Sequence, residues 1–560
     1  MERRVLLAVA LSILVLFSFR YFQERHVGAR APARPAAKEQ PAAAEVPPAA
    51  VPSAVPAEQG EAVPSAEDTV AAAEPLVIEG DLYRAILDNR GAVISSWQLK
   101  KYRSGKGEIF EMIAGGHDPE SRPYPGSLIL ENPALTKAAN SDPYLVEVVE
   151  GARSGSTISA PAAITLKLTR GDLSIEKRYR FLKDNYVVDC SVTFERSRKP
   201  VPGRILLGED IGPEYEHLVG SAVQLTAVSN QAGKVRREGP PEVEKEPKRL
   251  SAEIRWLGLD MQYFSILAVP RRPLDAFEIE KRIAKTFGLD GKEVSRNLIR
   301  VTIPAVGSLE YQLFLGPKEQ AALEMVRGAG LEHVIDYGMF SFLVRPLLVS
   351  LNWLYEYVHN YGTAILLLTL LLTLLLFPFR LKQMVSMKKM AVVQPKIKAI
   401  QEKYKKYKAT DPKKAEMNQE VMAVYKEHNV NPLGGCLPLL LQMPILFAFY
   451  SLLAYSIELR QAPFFGWLHD LSMKDPYYVL PIVMGITMMI SQKMTPMTPG
   501  ADPTQAKVMM LMPAVFTVMF LNVSSGLNLY FLSSNVFQIA FQKIAERWVS
   551  DRPAKRKRGP

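Results

Sequence analysis

The stretch Tyr361–Leu441 limits what this chain can fold into more than any other. An apolar run from Ala364 to Phe377, interrupted only by Thr369 and Thr373, is closed by Pro378. A lysine-rich segment follows from Arg380 to Lys426, and apolar sequence resumes beyond Asn431-Pro432. A hydrophobic span, a charged excursion and a second hydrophobic span describe a hairpin through a bilayer. The rest of the chain then either delivers that hairpin to a membrane or packs against it.

Apolar residues are strongly segregated along the 560 positions, giving a polar first half and a membrane-embedded second half. The formal charge of +11 is concentrated in Arg380–Lys426 and in the tail residues Arg552, Lys555, Arg556, Lys557 and Arg558. Basic loops beside spans are first an orientation signal, because Lys and Arg stay on the cytoplasmic side. Contact with nucleic acid or anionic lipid is a second reading. The two cysteines, Cys190 and Cys436, fall in different compartments, which argues against a structural disulfide. The seven histidines are scattered, so no metal site and no cofactor are expected.

Arg3 and Arg4 precede the apolar run Val5–Phe19, and the bulky residues after it favour an uncleaved signal anchor over residues 1–28. Residues 29–75 are almost entirely Ala, Pro, Glu, Val and Ser and read as a disordered linker. A period-two pattern then begins. Ile164, Leu166 and Leu168 alternate with polar residues, Arg170-Gly171-Asp172 is a turn, and Ile175, Tyr179 and Phe181 face one way. Tyr186, Val188, Cys190, Val192 and Phe194 repeat the device, as do Leu309, Tyr311, Leu313 and Leu315. Half-buried strands joined by tight turns predict an antiparallel β-sandwich over 76–325, outside the cytoplasm, acting as a folded spacer or docking module.

Residues 336–360 are apolar, yet Ser341, Arg345, Asn352, Glu356 and His359 recur at near-helical spacing. A helix lying in the interface plane fits them better than a span. The core, 361–548, opens with an inward span at Tyr361–Phe379. Met390, Val393, Ile397, Ile400, Tyr404 and Tyr407 then form an apolar stripe, which Met417, Val421, Val424 and His428 continue after the cap Asp411-Pro412. This predicts a cytoplasmic helical hairpin over 380–432, with Pro395 kinking its first helix or marking its start. Further spans are expected at Leu433–Ile457, Tyr477–Ser491, Val508–Asn522 and Leu527–Ile544, before a basic tail at 549–560. The fold class is thus a polytopic α-helical membrane protein with six transmembrane helices, both termini cytoplasmic.

No phosphate loop, nucleophile elbow or metal-binding histidine pair is present, so nothing suggests an enzyme. Polar residues stand inside the spans instead: Thr369, Thr373, Gln442, Asn522, Asn528, Ser533, Ser534, Asn535 and Gln538. Singly each reads as helix–helix glue; together they also suit a wetted groove. A secondary transporter would show repeated halves and charged mid-membrane groups, and none is seen. A membrane-anchored periplasmic binding protein would leave five spans idle.

Several motifs converge on one family. Pro378 with Lys382-Gln383, Gln394-Pro395-Lys396, Asn431-Pro432-Leu433-Gly434-Gly435-Cys436-Leu437-Pro438, Gln442-Met443-Pro444, Glu458-Leu459-Arg460, Asp475-Pro476-Tyr477-Tyr478 and Ser525-Gly526-Leu527 resemble the YidC/Oxa1/Alb3 membrane-protein insertases. The motifs cover about 336–548, and the anchor and β domain are similar to the Gram-negative type. The resemblance implies an inner-membrane insertase and chaperone for nascent membrane proteins, working alone or with the Sec translocon. It also implies a polar groove open to cytoplasm and lipid, here Thr369, Thr373, Gln442, Asn528, Tyr530, Phe531 and Asn535, with Arg380 and Lys382 at its mouth. Most relatives place an arginine five residues before the proline that matches Pro378, where this chain has Thr373. Expected contacts to the ribosome or the signal-recognition-particle receptor are Lys403, Lys405, Lys406, Lys555, Arg556, Lys557 and Arg558.

Overall fold

The computed structural model describes residues 75–550, apart from 105–106, 114–123, 213–224, 240–246, 288–292, 406, 408–410, 429–436 and 495–502. The expected anchor, linker and basic tail, the motif from Asn431 to Cys436, and Lys406 lie outside the described residues. So do the side chains of Lys382 and Gln442.

Alternation sets the β domain. Along Leu173–Phe181 every second side chain is buried, and across the Gly171-Asp172 turn Arg170 pairs with Leu173. The strands form one curled hydrogen-bonded sheet rather than two separate sheets of a sandwich. One end runs from Ile109–Glu111 through Val93–Arg103, Tyr83–Asp88 and Leu76–Glu79 to Thr157–Arg170. The pairing of Leu76–Glu79 with Thr157–Arg170 is parallel, an exception to the antiparallel expectation. The sheet continues through Leu173–Phe181, Val187–Arg196, Ser308–Pro317 and Phe264–Pro270 to Lys248–Asp260.

There it branches. The second half of Lys248–Asp260 pairs with Phe264–Pro270 and the first half with Leu274–Phe287. That second arm carries on to Glu293–Val306, Pro202–Gly208 and Leu128–Leu130. It lies over the first arm, for a Cβ on Gly203 would come within 2.8 Å of the Phe194 ring. The chain crosses between arms at Gly307, whose φ of +71° suits a residue without Cβ. A long strand that changes neighbour midway closes a core without a second sheet. Trp97, Trp256, Phe181, Phe194 and Phe314 fill it.

Seven helices of the membrane region are described: α1 (Ser341–Val358), α2 (Tyr361–Lys403), α3 (Lys413–Glu427), α4 (Leu437–Tyr455), α5 (Val479–Met494), α6 (Pro503–Phe520) and α7 (Ser525–Ser550). Asn360 caps α2 by accepting from the Thr363 N–H at 2.9 Å. α2 runs through both Pro378 and Pro395, so Pro395 does not mark the start of a separate helix, and span and first hairpin helix are one element. Each proline removes one backbone donor, and the 43-residue helix tolerates two such losses. Among the described residues, Tyr361–Leu381 is the one helix long and apolar enough to cross a membrane. Met443–Tyr455, Val479–Met494 and Met510–Phe520 are shorter apolar helices.

The two hairpin stripes meet as predicted. Met390, Val393 and Ile397 of α2 pack with Val421, Val424 and Tyr425 of α3. Glu420 accepts from Lys403 Nζ and Tyr404 Oη, both at 2.8 Å. The cap of α3 falls on Pro412, one residue later than expected, and Asp411 just before it accepts from the Lys413 N–H at 2.9 Å.

Candidate functional site

α2 and α7 run side by side in the same direction. Gly526 at the start of α7 sits against Ile365, and the Phe377 and Phe541 rings are 5.2 Å apart. Thr369 and Thr373 fall between those contacts on one i, i+4 row. Both are buried, and each donates its hydroxyl to the carbonyl four residues back, Ile365 and Thr369, at 2.7 Å. Those bonds use the hydroxyl protons and leave oxygen lone pairs available as acceptors.

Asn528 is buried, and its Nδ2 donates to the Phe520 and Val523 carbonyls at 3.2 Å. It thereby closes the end of α6, whose last carbonyls lack helical partners. Its Oδ1 is buried with no hydrogen-bond partner. Tyr530 stacks on Phe449 of α4 at 4.0 Å, and Phe531 meets Phe520 edge-on at 4.7 Å. Asn535 Nδ2 reaches Thr487 Oγ1 of α5 at 3.5 Å, and Gln542 donates to the Met494 carbonyl at 3.0 Å. Phe531, Asn535 and Gln542 therefore bind helices to one another. A Cβ on Gly485 would lie 2.0 Å from Thr517 Oγ1, so α5 and α6 approach closely through a missing side chain.

Arg380 is half-buried. Lys403 and Lys405 are exposed on the hairpin. Outward faces of α2, α5 and α6 are apolar, with Leu371, Leu375, Ile482, Ile486, Leu511 and Val518 exposed.

Sequence reasoning used two motifs only as family markers, and the fold gives them work. Asp475, buried, accepts from Trp467 Nε1 and the Tyr477 N–H through Oδ1 and from the Leu480 N–H through Oδ2. It caps α5. The Ser525 and Gly526 N–H groups donate to the Met473 and Leu471 carbonyls, which binds the α4–α5 loop to the start of α7. An acidic residue just before an apolar run was the available signal for the first; nothing local announces the second.

A curled β domain followed by an apolar helical region with a basic hairpin defines a membrane-embedded protein carrying a large external domain. The comparisons agree. Residues 75–350 match the model of the YidC periplasmic domain, and 353–552 match that of the 60Kd inner membrane protein. The membrane protein insertase YidC of Syntrophus aciditrophicus is 36% identical over 557 residues, covering 97% of this chain and 99% of the relative. That of Geotalea daltonii is 35% identical, covering 97% and 98%. A crystal structure of an active YidC insertase, with its first transmembrane domain resolved, shares 18% identity over 84% of this chain and 94% of that one; its TM-score of 0.34 is too low to inform the fold. The chain belongs to the YidC family of membrane protein insertases, of the Gram-negative type with a periplasmic domain. Its function is insertion of membrane proteins at the inner membrane, without enzymatic chemistry.

Proposed function

We propose that client segments enter along α2 and α5, beside a polar strip made by Thr369, Thr373, Gln442, Asn528, Tyr530 and Asn535. Moving a helix of about 20 apolar residues into hydrocarbon is downhill, and the obstacle is its polar flank. A groove that hydrates the flank partway lowers that barrier with no energy source. The observation carrying this reading is the buried Asn528 Oδ1 that lacks a partner, close to the α2–α7 seam. A buried acceptor left open is costly unless water or a client donor reaches it.

In this reading the chain spans the membrane six times with both termini cytoplasmic, the 1–28 anchor supplying the first span and the β domain lying in the periplasm. α1 lies in the outer interface. Support comes from its two apolar faces: Val344, Leu348 and Leu351 are buried, while Phe342, Val349, Trp353 and Tyr357 are exposed. The hairpin and the 549–560 tail contact the ribosome or the signal-recognition-particle receptor, and some clients pass on from the Sec translocon. The excess of thirteen basic over five acidic residues between 380 and 432 supports that contact.

Arg380 supplies the positive charge that Thr373 does not. In reconstituted liposomes, Arg380→Ala is expected to slow clients with acidic translocated tails and spare neutral ones. Thr373→Arg in that background restores the former. Equal rates for both client types in Arg380→Ala would show that the groove works without a fixed charge.

A further inference from the structure

The turn after α4 places consecutive side chains in different parts of the molecule. Ile457 is buried in the core cluster of the β domain, whereas Leu459, two residues on, is buried among the membrane helices. Between them, burial pushes the Glu458 carboxyl above its usual range. Arg460 then turns back to the β domain, with its guanidinium 5.2 Å from the Phe110 ring and 5.4 Å from the Phe264 ring. These two rings stack on each other at 4.1 Å. Gln461 Nε2 donates to the Arg103 and Ser104 carbonyls at 3.0 and 3.1 Å.

A second attachment reinforces the first. Gln262 of the β domain donates to the Ala454 carbonyl of α4 at 2.7 Å. Arg237 donates to the Val334 carbonyl and Asp336 on the segment entering α1, and on its other side meets buried Asp260. The Arg237 side chain is only 11% exposed where it bridges Asp260 of the β domain and Asp336.

We propose that Arg460 is a positioning residue: it clasps the β domain to the outer ends of α1 and α4, so that the β domain sets the outer rim of the insertase. The same loop, through Leu471 and Met473, holds the start of α7. Loosening the clasp therefore frees the outer end of the α2–α7 seam. The clasp stands whichever residues line the groove, because all its contacts are on the far side of the loop.

The test uses the full-length protein in liposomes, in a Cys436→Ser background, with spin labels at Leu145→Cys and Phe465→Cys. Both sites are exposed, and Cys190 is buried and stays unlabelled. The parent is expected to give one narrow distance distribution. Arg460→Gln lowers the docked-to-undocked ratio about tenfold, as loss of a desolvated cation–π contact implies, and broadens the distribution. Phe110→Leu does the same without touching the loop, and adding it to Arg460→Gln has little further effect. Arg460→Lys, which keeps the cation, retains the narrow distribution. Client insertion follows the distance data: several-fold slower in Arg460→Gln, near normal in Arg460→Lys. A narrow distribution in Arg460→Gln overturns the clasp, and a broadened one with unchanged insertion overturns its positioning role.

Discussion

The β domain and the membrane helices solve the problem of buried polarity in opposite ways. In the β domain whole charges are enclosed. Lys177 is fully buried and donates to the Gly91 and Gly126 carbonyls at 2.6 and 2.7 Å, with the Tyr144 ring 5.5 Å away. Lys318 pairs with buried Asp260 at 3.0 Å, beside Arg237. In the membrane helices the buried polar side chains are Thr369, Thr373, Ser451, Ser525, Asn528, Ser533 and Ser534, all uncharged, among the described residues. A curled sheet has turns whose free carbonyls point inward and can solvate an ammonium. A helix uses its own carbonyls, so only a short hydroxyl or amide finds a partner there without a charge to neutralise.

That contrast is most exposed at Lys177. Lys177→Met leaves carbonyls without donors in a dry core and is expected to cost about 3 kcal/mol, read from thermal unfolding. Burial pushes the Lys177 ammonium down to about 7. The folded state therefore holds fewer protons than the unfolded chain between that value and the ordinary lysine range. The stability of the β domain should then rise as pH increases through 7 towards 10, and the rise should be lost in Lys177→Met. A flat profile in the parent would mean that the carbonyls keep the ammonium charged.

Asp260→Asn tests the second enclosed charge. It strips Lys318 and Arg237 of their shared partner, and a loss of about 3 kcal/mol or slightly less is expected because Ser265 and water can respond. Asn528→Leu probes the neutral strategy and should cost about 1–2 kcal/mol from the open end of α6. Thr373→Val is expected to change stability by under about 1 kcal/mol while slowing clients with polar flanks, since its hydroxyl is already satisfied by α2. The smallest stability effect belongs to Lys403→Ala on the exposed hairpin, where unfolding should not measurably change. Co-sedimentation of the parent with ribosomes should instead fall steeply with salt, and a salt-independent association would leave the lysines as an orientation signal alone.

Much of this was legible before any coordinates, and the limit was the same throughout. Period-two alternation marked the inward faces of Thr157–Arg170, Leu173–Phe181 and Val187–Arg196, and the 3–4 spacing marked the stripes of α2 and α3, because both are set by local backbone geometry. Lys177 stood on the inward row between Ile175 and Tyr179, but alternation cannot say what receives its charge. Gly91 and Gly126, its acceptors, are 86 and 51 residues away. Of the two roles expected for Pro395, that of starting a new helix is overturned, because flanking turns carry one helix across the missing donors at Pro378 and Pro395. Whether the strands close into two sheets or one depends on strands exchanging neighbours midway, a property of pairing and not of pattern. The sequence by itself determined the elements, their faces and the family. Which element meets which, and hence the clasp at Arg460 and the open acceptor at Asn528, was decided by tertiary structure, since those contacts join residues that no local period relates.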